Sequence, residues 1–191
     1  MMSLGSFLNN RYKTIGEGKV MQQNIITERL ILRPFRLSDS ERVADLAGEK
    51  VIADMTAAIP HPYKPTMAVE WINSHESFFN EEKGVIYAIT LKANDEIIGA
   101  VSFPSLVDGV GTLGYWLGVP FWGQGIAFEA SSALVEYGKA HLGLTEFEVM
   151  HLSENKRSES VIRKLGVEFV EKQVRKIHGE DRELCVYRSL L

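Results

Sequence analysis

The sequence contains a single cysteine, no apolar run long enough to cross a bilayer, and no excess of basic residues. Cys185 alone cannot form an internal disulfide, and no Cys/His set has the spacing of metal ligands, so no metal is expected. The net charge of -4 disfavours a general nucleic-acid-binding protein and mildly favours a cationic partner. The first residues lack the apolar core of a signal peptide, which predicts a cytoplasmic protein that binds no membrane.

No low-complexity tract interrupts the chain, and its 191 residues are 45% apolar and 24% charged, values typical of a folded globular domain. This length suffices for one domain with a hydrophobic core and is short for two. Periodic patterning begins at Ile25, and Met21 offers an alternative start of translation. We therefore predict a loosely held extension over residues 1–24 and one domain over residues 25–191.

The patterning predicts an α/β (α+β) domain with a largely antiparallel mixed sheet. Apolar residues alternate with period two near residues 30–33, 85–92, 97–104, 112–119 and 146–152, and in two final strands on either side of residues 178–181. Helical periodicity marks residues 38–47, 66–83, 127–141 and 158–165. Ser38 and Thr66 are the predicted N-terminal caps of the first two helices, and Gly143 is the predicted end of the third.

The stretch VPFWGQGIAFEA, residues 119–130, carries the clearest chemical signal. Gly123 and Gly125 at a strand–helix junction let backbone N–H groups approach an anion, and the helix N-terminus adds its positive dipole end. The pattern predicts a phosphate site, although the same glycines also fit a simple tight turn. A Walker loop is disfavoured because no Lys-Ser/Thr pair follows, and a Rossmann loop because Phe128 stands where a third glycine belongs.

Three separated motifs resemble the RimJ/RimL-type branch of the GNAT N-acetyltransferases: IITERLILRPF, GYWLGVPFWGQGIAFEA and NKRSESVIRKLGVEFVE. They occur in the order that the family shows, and the resemblance covers roughly residues 25–190. It implies a single domain whose mostly antiparallel sheet is splayed in the middle and flanked by helices on both faces. It also implies acetyl-CoA as co-substrate, with pantetheine entering the gap between the strand ending at residues 117–119 and the strand EFEVMHL.

The resemblance assigns cofactor-binding residues on the strand end, the glycine loop and the last helix. They are Leu117, Gly118 and Val119 beside pantetheine, Trp122, Gly123, Gln124, Gly125, Ile126 and Ala127 at the pyrophosphate, and Asn155 and Ser158 on the helix. Relatives usually begin this loop with Gln or Arg, whereas this sequence has Trp122. Ser158 also fits a second interpretation, in which it caps the last helix.

Direct transfer to an amine needs a neutral nucleophile, a donor for the tetrahedral oxyanion and a proton for the leaving thiolate. We assign the oxyanion to the backbone N–H near Val119 and the acid to Ser158, which are the two predicted catalytic residues. No base is assigned, because Arg175 stands where some relatives place a glutamate. Glu183, Tyr115, His151 and water remain alternatives, and Glu129 is interpreted as a helix-dipole partner.

The expected function is acetylation of a primary amine, first of all a protein N-terminal α-amine as the RimJ/RimL resemblance implies. A small amine such as an aminoglycoside or polyamine is the near alternative, and a non-catalytic module that binds CoA is the alternative from a different class. His61 and Tyr63 lie in the loop where the family usually admits its acceptor. The terminal hairpin, residues 169–187, offers an edge through which a homodimer would form.

Overall fold

A computed structural model describes residues 21–190. The strands of this part of the chain are β1 (Ile25–Ile26), β2 (Leu30–Arg33), β3 (Val85–Leu91), β4 (Ile97–Val107), β5 (Val110–Leu117), β6 (Glu146–Leu152), β7 (Glu168–Ile177) and β8 (Glu180–Leu190). Its α-helices are α1 (Ser40–Ala47), α2 (Lys50–Met55), α3 (Pro65–Asn80), α4 (Ile126–Tyr137) and α5 (Lys156–Lys164). Short 3₁₀ turns span Leu37–Asp39 and Val119–Phe121, and a π-helical turn at Gly138–Leu142 extends α4.

The strands form one open sheet of eight strands in the order β1-β2-β3-β4-β5-β6-β8-β7. Every neighbouring pair is antiparallel except β5 and β6, which run parallel. The short turns that join β3, β4 and β5 permit only antiparallel pairing, whereas the crossover through α4 brings β6 back parallel to β5. The predicted α/β class and largely antiparallel mixed sheet are confirmed.

Helices cover both faces of the sheet, as predicted. On β3, Tyr87 and Ile89 face a core that includes α4 and α5, whereas Ala88 faces a core built with α1 and α3. We call these sides the α4 face and the α3 face. The two faces follow from the period-two alternation along each central strand, because successive side chains point to opposite sides.

Two predicted helix caps are wrong. Ser38 lies inside the first 3₁₀ turn, and the carboxylate of Asp39 accepts the Arg36 backbone N–H at 2.7 Å while it pairs with the buried Arg33 guanidinium at 2.8 Å. Thr66 is the second residue of α3, because Pro65 occupies the first position, where its missing N–H costs nothing. Helix α2 was not predicted, because its 6 residues are too few to show a clear helical period.

The predicted extension over residues 1–24 lies mostly outside the described residues. Of its described part, Gln22 Nε2 donates to the Ile86 carbonyl at 2.8 Å, and the Gln23 carbonyl accepts the Tyr87 hydroxyl at 3.0 Å. Gln22 and Gln23 are thus tied to β3. Among residues 21–190, no helix has the length and apolar character needed to cross a membrane.

His75 on α3 predicts a pH-dependent stability. Its ring lies between Phe35 and Trp71, with ring centroids 5.4 and 4.4 Å away, and neither ring nitrogen has a partner among residues 21–190. Burial lowers the pKa of His75 from 6.5 to about 4. Between pH 6.5 and about 4, the His75 side chain is therefore protonated in the unfolded chain but not in the folded one. The free energy of unfolding has its full value above the unfolded pKa and falls as the pH decreases below it.

We expect His75 to remove up to about 3 kcal/mol from the free energy of unfolding as the pH falls from 7 to 4. Urea denaturation across this range measures the loss. In His75→Phe the loss should be smaller by that amount, whereas the exposed His141→Gln serves as a control that should keep it. An identical pH dependence in His75→Phe and the wild-type protein would contradict this prediction.

Candidate active site

The sheet opens between β5 and β6. These strands pair only from Val110 opposite Glu146 to Leu113 opposite Val149, although β5 continues to Leu117 and β6 to Leu152. We call the diverging segments, residues 114–117 and 150–152, the wedge. The predicted splay of this strand pair is confirmed, and it leaves backbone groups of β5 facing an opening instead of a neighbouring strand.

A loop with two left-handed glycines joins β5 to α4. Val119–Phe121 forms a 3₁₀ turn, and Gly123 and Gly125 both have a φ of 75°, a value that strains any residue with a Cβ. We call residues 118–125 the glycine loop. Helix α4 begins directly after Gly125, so the first N–H groups of α4 have no intrahelical acceptor and point toward the loop. This arrangement suits an anion such as a pyrophosphate.

Arg29 and Glu129 hold the glycine loop against β2. The Arg29 guanidinium donates to the Gln124 carbonyl at 2.9 Å and to the Glu129 carboxylate at 2.6 Å, and the Thr27 hydroxyl donates to the same carboxylate at 2.6 Å. Burial alone would raise the pKa of Glu129, but these hydrogen bonds outweigh it and lower the pKa. Glu129 is therefore ionised in the first turn of α4, which agrees with its interpretation as a helix-dipole partner. Sequence reasoning did not identify Arg29.

Trp122 is fixed on both sides within the loop. Its indole N–H donates to the Leu117 carbonyl at 2.8 Å, and the Arg157 guanidinium lies 4.1 Å from the ring centroid in a cation–π contact. The indole has only this one donor, so an anion in the loop would meet backbone N–H groups rather than the Trp122 side chain. The Gln124 amide similarly donates to the Pro120 carbonyl at 3.0 Å.

Helix α5 begins on the other side of the wedge, directly after β6. Its N-cap is Asn155, whose Oδ1 accepts the Ser158 backbone N–H at 3.1 Å. The interpretation of Ser158 as the cap is therefore wrong, because Ser158 is the third residue of the helix. Asn155 Nδ2 donates to the Met55 carbonyl at 3.2 Å, so one amide joins the start of α5 to the end of α2.

Three side chains bind consecutive carbonyls at the end of α2. Arg182 donates to the Asp54 carbonyl, Asn155 to the Met55 carbonyl, and His178 lies 3.2 Å from the Thr56 carbonyl. The last carbonyls of a helix have no intrahelical donor, so these contacts satisfy them. They fix the end of α2 beside the start of α5, and in the loop that follows, Tyr63 packs against the core of the α3 face.

The Tyr115 and Ser158 hydroxyls meet at the wedge, with 2.8 Å between Tyr115 Oη and Ser158 Oγ. Burial raises the pKa of Tyr115 to about 12, although the Ser158 contact partly opposes this rise. A phenol with this pKa keeps its hydrogen near neutral pH, so Tyr115 is not a base. The strand pattern alone could not distinguish this contact from ordinary packing.

The other candidate bases have partners elsewhere. The Glu183 carboxylate is exposed and pairs with Lys172 at 2.8 Å, and this hydrogen bond lowers the pKa of Glu183. His151 is buried, with Nδ1 2.8 Å from the Leu152 carbonyl, which can only accept, so Nδ1 carries the hydrogen. Its other nitrogen, Nε2, is left to accept and lies 3.4 Å from the Tyr187 hydroxyl. His151 and Lys172 line a groove of about 570 Å³ between α5 and β7–β8. None of the predicted cofactor-binding residues lines this groove.

Gly123→Ala tests the loop as an anion cradle. A Cβ at this position meets no atom within 4 Å, so the change strains the backbone at a φ of +75° without a clash. The left-handed conformation costs a residue with a Cβ about 1–2 kcal/mol. The free variant relieves this strain by changing the conformation of the loop, and it must restore the left-handed conformation to bind acetyl-CoA. We expect the Kd for acetyl-CoA to rise about tenfold, as measured by calorimetry.

Gly166→Ala is the matched control for this change. Gly166 has a φ of +72°, and a Cβ there also meets nothing within 4 Å, but it lies after α5 and outside the glycine loop. The control should lose similar stability and keep the wild-type Kd. Equal Kd values for Gly123→Ala and Gly166→Ala would show that the shape of the loop does not matter for binding.

Comparison with known proteins identifies acetyltransferases that are similar to this chain in sequence. Residues 29–168 match the family described as the acetyltransferase (GNAT) domain. The chain is 28% identical over 147 residues to the uncharacterized N-acetyltransferase p20 of Bacillus licheniformis, covering 75% of this chain and 82% of that protein. It is 25% identical over 160 residues to the ribosomal protein uS5-alanine N-acetyltransferase of Escherichia coli (strain K12), covering 78% and 80%.

Two solved structures share the fold. The RimL ribosomal L7/L12 α-N-protein acetyltransferase, in complex with coenzyme A, superposes with a TM-score of 0.81 at 18% identity, covering 88% of this chain and 98% of that chain. The microcin C7 self-immunity acetyltransferase MccE, in complex with acetyl-CoA and AMP, superposes with a TM-score of 0.79 at 20% identity, covering 86% and 94%. The wedge and the glycine loop therefore lie within a fold that this chain shares with acetyltransferases.

Proposed function

The chain belongs to the acetyltransferase (GNAT) family, and from this premise we propose that it transfers the acetyl group of acetyl-CoA to the N-terminal α-amine of a protein. One observation carries the proposal: the sheet opens between β5 and β6 directly beside a glycine loop that leads into the N-terminus of α4. A long ligand with an anionic middle and a thioester end fits this combination of an open strand edge and an anion cradle.

The residues around the wedge suit acetyl-CoA. The Leu117 backbone N–H would pair with pantetheine, and Gly118, whose N–H donates to the Ile98 carbonyl at 2.9 Å, would border its path. The N–H groups around Gly125 and the first turn of α4 would hold the pyrophosphate. Gly123 supports this assignment, because open space surrounds the position of its missing Cβ. Acetyl-CoA supplies an activated acyl group, and the protein supplies its alignment with the amine. Alignment of this kind lowers a barrier by about 7–11 kcal/mol.

Two protein groups would serve the reaction itself. The backbone N–H of Val119 begins the 3₁₀ turn at the end of the wedge and would donate to the oxyanion that forms when the amine attacks. The Ser158 hydroxyl lies at the other side of the wedge and would donate to the departing sulfur. The amine must be neutral when it attacks. Glu183 is paired with Lys172 and His151 with Leu152 and Tyr187, and Tyr115 keeps its hydrogen near neutral pH, so we assign the proton of the amine to water.

The choice of acceptor rests on the relatives. The uS5-alanine N-acetyltransferase and RimL are both named as acetyltransferases of ribosomal proteins, and both match this chain over most of their length. We propose a protein N-terminus of the same chemical class, a small first residue that carries a free α-amine. The loop after α2, with His61 and Tyr63, would border its path.

Release of free thiol from acetyl-CoA tests the proposal. The acceptors are peptides that begin with Ser or Ala, each paired with the same peptide whose α-amine is blocked, and the mass of each product confirms transfer. We expect thiol release with the free peptides and none with the blocked ones. Activity confined to polyamines or aminoglycosides would reject the protein acceptor, and binding of acetyl-CoA without transfer to any amine would reject catalysis.

A further inference from the structure

We propose that Tyr115 is a positioning residue that holds the Ser158 hydroxyl so that its hydrogen faces the departing sulfur. This inference rests on the proposed function, because it concerns the same site. It starts from the 2.8 Å between Tyr115 Oη and Ser158 Oγ, a normal O–H···O distance. Tyr115 belongs to β5 and Ser158 to α5, so the contact joins the two sides of the wedge.

Both residues of the pair are held in place. Tyr115 packs against the core of the α4 face. The Ser158 backbone N–H donates to Asn155 Oδ1 at 3.1 Å, which fixes the first turn of α5. Tyr115 Oη also lies 3.4 Å from the Ser158 carbonyl oxygen, which can only accept. The carbonyl contact is longer than a normal O–H···O hydrogen bond, whereas the 2.8 Å contact with Ser158 Oγ is within the normal range, so Oγ is the better partner for the phenolic hydroxyl.

The direction of the hydrogen bond follows from acidity. A phenol is more acidic than an aliphatic hydroxyl, so the phenol is the stronger donor and the serine oxygen the stronger acceptor. Tyr115 therefore donates to Ser158 Oγ, and the hydrogen of Ser158 stays free for another acceptor. Because burial raises the pKa of Tyr115 to about 12, this donation persists throughout the neutral range.

Tyr115 acts on the reaction only through Ser158. As the bond between carbon and sulfur breaks, its electron pair stays on sulfur, and the Ser158 O–H donates a hydrogen bond to the developing thiolate. The attacking nitrogen loses one proton to water, the sulfur takes the Ser158 hydroxyl proton, and Ser158 Oγ regains one from water, so coenzyme A leaves as a neutral thiol and the serine is unchanged. The donation from Tyr115 polarises the serine hydroxyl and strengthens its hydrogen bond to sulfur.

A double-mutant cycle of Tyr115→Phe and Ser158→Ala tests this role. Tyr115→Phe keeps the ring and should lower kcat about tenfold without changing the KM for acetyl-CoA. In the Ser158→Ala background the same change should cost nothing further, because the group through which it acts is gone. Tyr137→Phe removes the hydroxyl of another partly buried tyrosine, on α4 outside the wedge, and should keep the wild-type kcat.

Thermal unfolding of the same variants supplies a readout that is independent of turnover. Each single variant leaves one hydroxyl without its partner and should lower Tm by about 2–4 °C. The double variant should lower Tm by no more than one single variant does. Losses in kcat that multiply in the double variant would overturn the proposed role. A wild-type protein inactive toward every amine would overturn the proposed function, and non-additive melting would then show that the hydroxyl contact itself is real.

Discussion

Val119→Pro is expected to lower kcat by about 10²–10³, because it deletes the backbone N–H to which we assign the oxyanion. The fold should accommodate the change. Val119 is the first residue of a 3₁₀ turn, a position at which proline is tolerated. Gly118 has φ −57° and ψ 144°, the extended region that a residue before proline prefers. Steady-state kinetics with a responsive amine measures the loss.

Val119→Ala is the control for this change, because it removes the side chain and keeps the N–H. Its kcat should stay within about threefold of the wild-type value, and the Kd for acetyl-CoA should change little in either variant if the N–H serves mainly the transition state. A Val119→Pro enzyme as fast as Val119→Ala would show that the oxyanion is stabilised elsewhere, and the assignment of Val119 would then be wrong.

Ser158→Ala is expected to lower kcat about 100-fold while the KM for acetyl-CoA changes little, because the hydrogen bond from the hydroxyl to sulfur strengthens as the thiolate develops. Helix α5 should persist in this variant. Alanine favours helix, and the Ser158 backbone N–H keeps its bond to Asn155. Initial rates of thiol release at saturating acetyl-CoA measure the effect.

Ser160→Ala provides the comparison on the same helix. Ser160 is exposed two residues further along α5, so the same chemical change there should leave kcat unaltered. If Ser158→Ala turned over at the wild-type rate, the thiolate would leave without help from this hydroxyl. The role proposed for Tyr115 would fall with it.

Much of the fold could be predicted from local pattern. The period-two pattern in residues 85–92 and 97–104 predicts the strands β3 and β4, and Gly143 ends the helical stretch after α4 with a φ of 68°, as its position implied. The helix caps could not be predicted correctly from local pattern, because Ser38 and Thr66 are both favourable cap residues but neither is the cap. The buried Arg33–Asp39 pair and Pro65 decide the real boundaries, and the first of these depends on tertiary contacts.

The site could be predicted only in part, for a related reason. The glycine pattern indicates where the backbone turns left-handed, and Gly123 and Gly125 do so. The wedge is a relation between strands far apart in sequence, and the family resemblance rather than periodicity pointed to it. Contacts such as Arg29 with Gln124 and Tyr115 with Ser158 span 95 and 43 residues, so no local pattern carries them.

Calorimetric titration with acetyl-CoA tests most directly whether the wedge and glycine loop form a cofactor site. We predict saturable binding of one acetyl-CoA per chain, weakened about tenfold in Gly123→Ala and unchanged in Gly166→Ala. Absence of binding to the wild-type protein, or binding that both glycine variants leave intact, would contradict the proposed site.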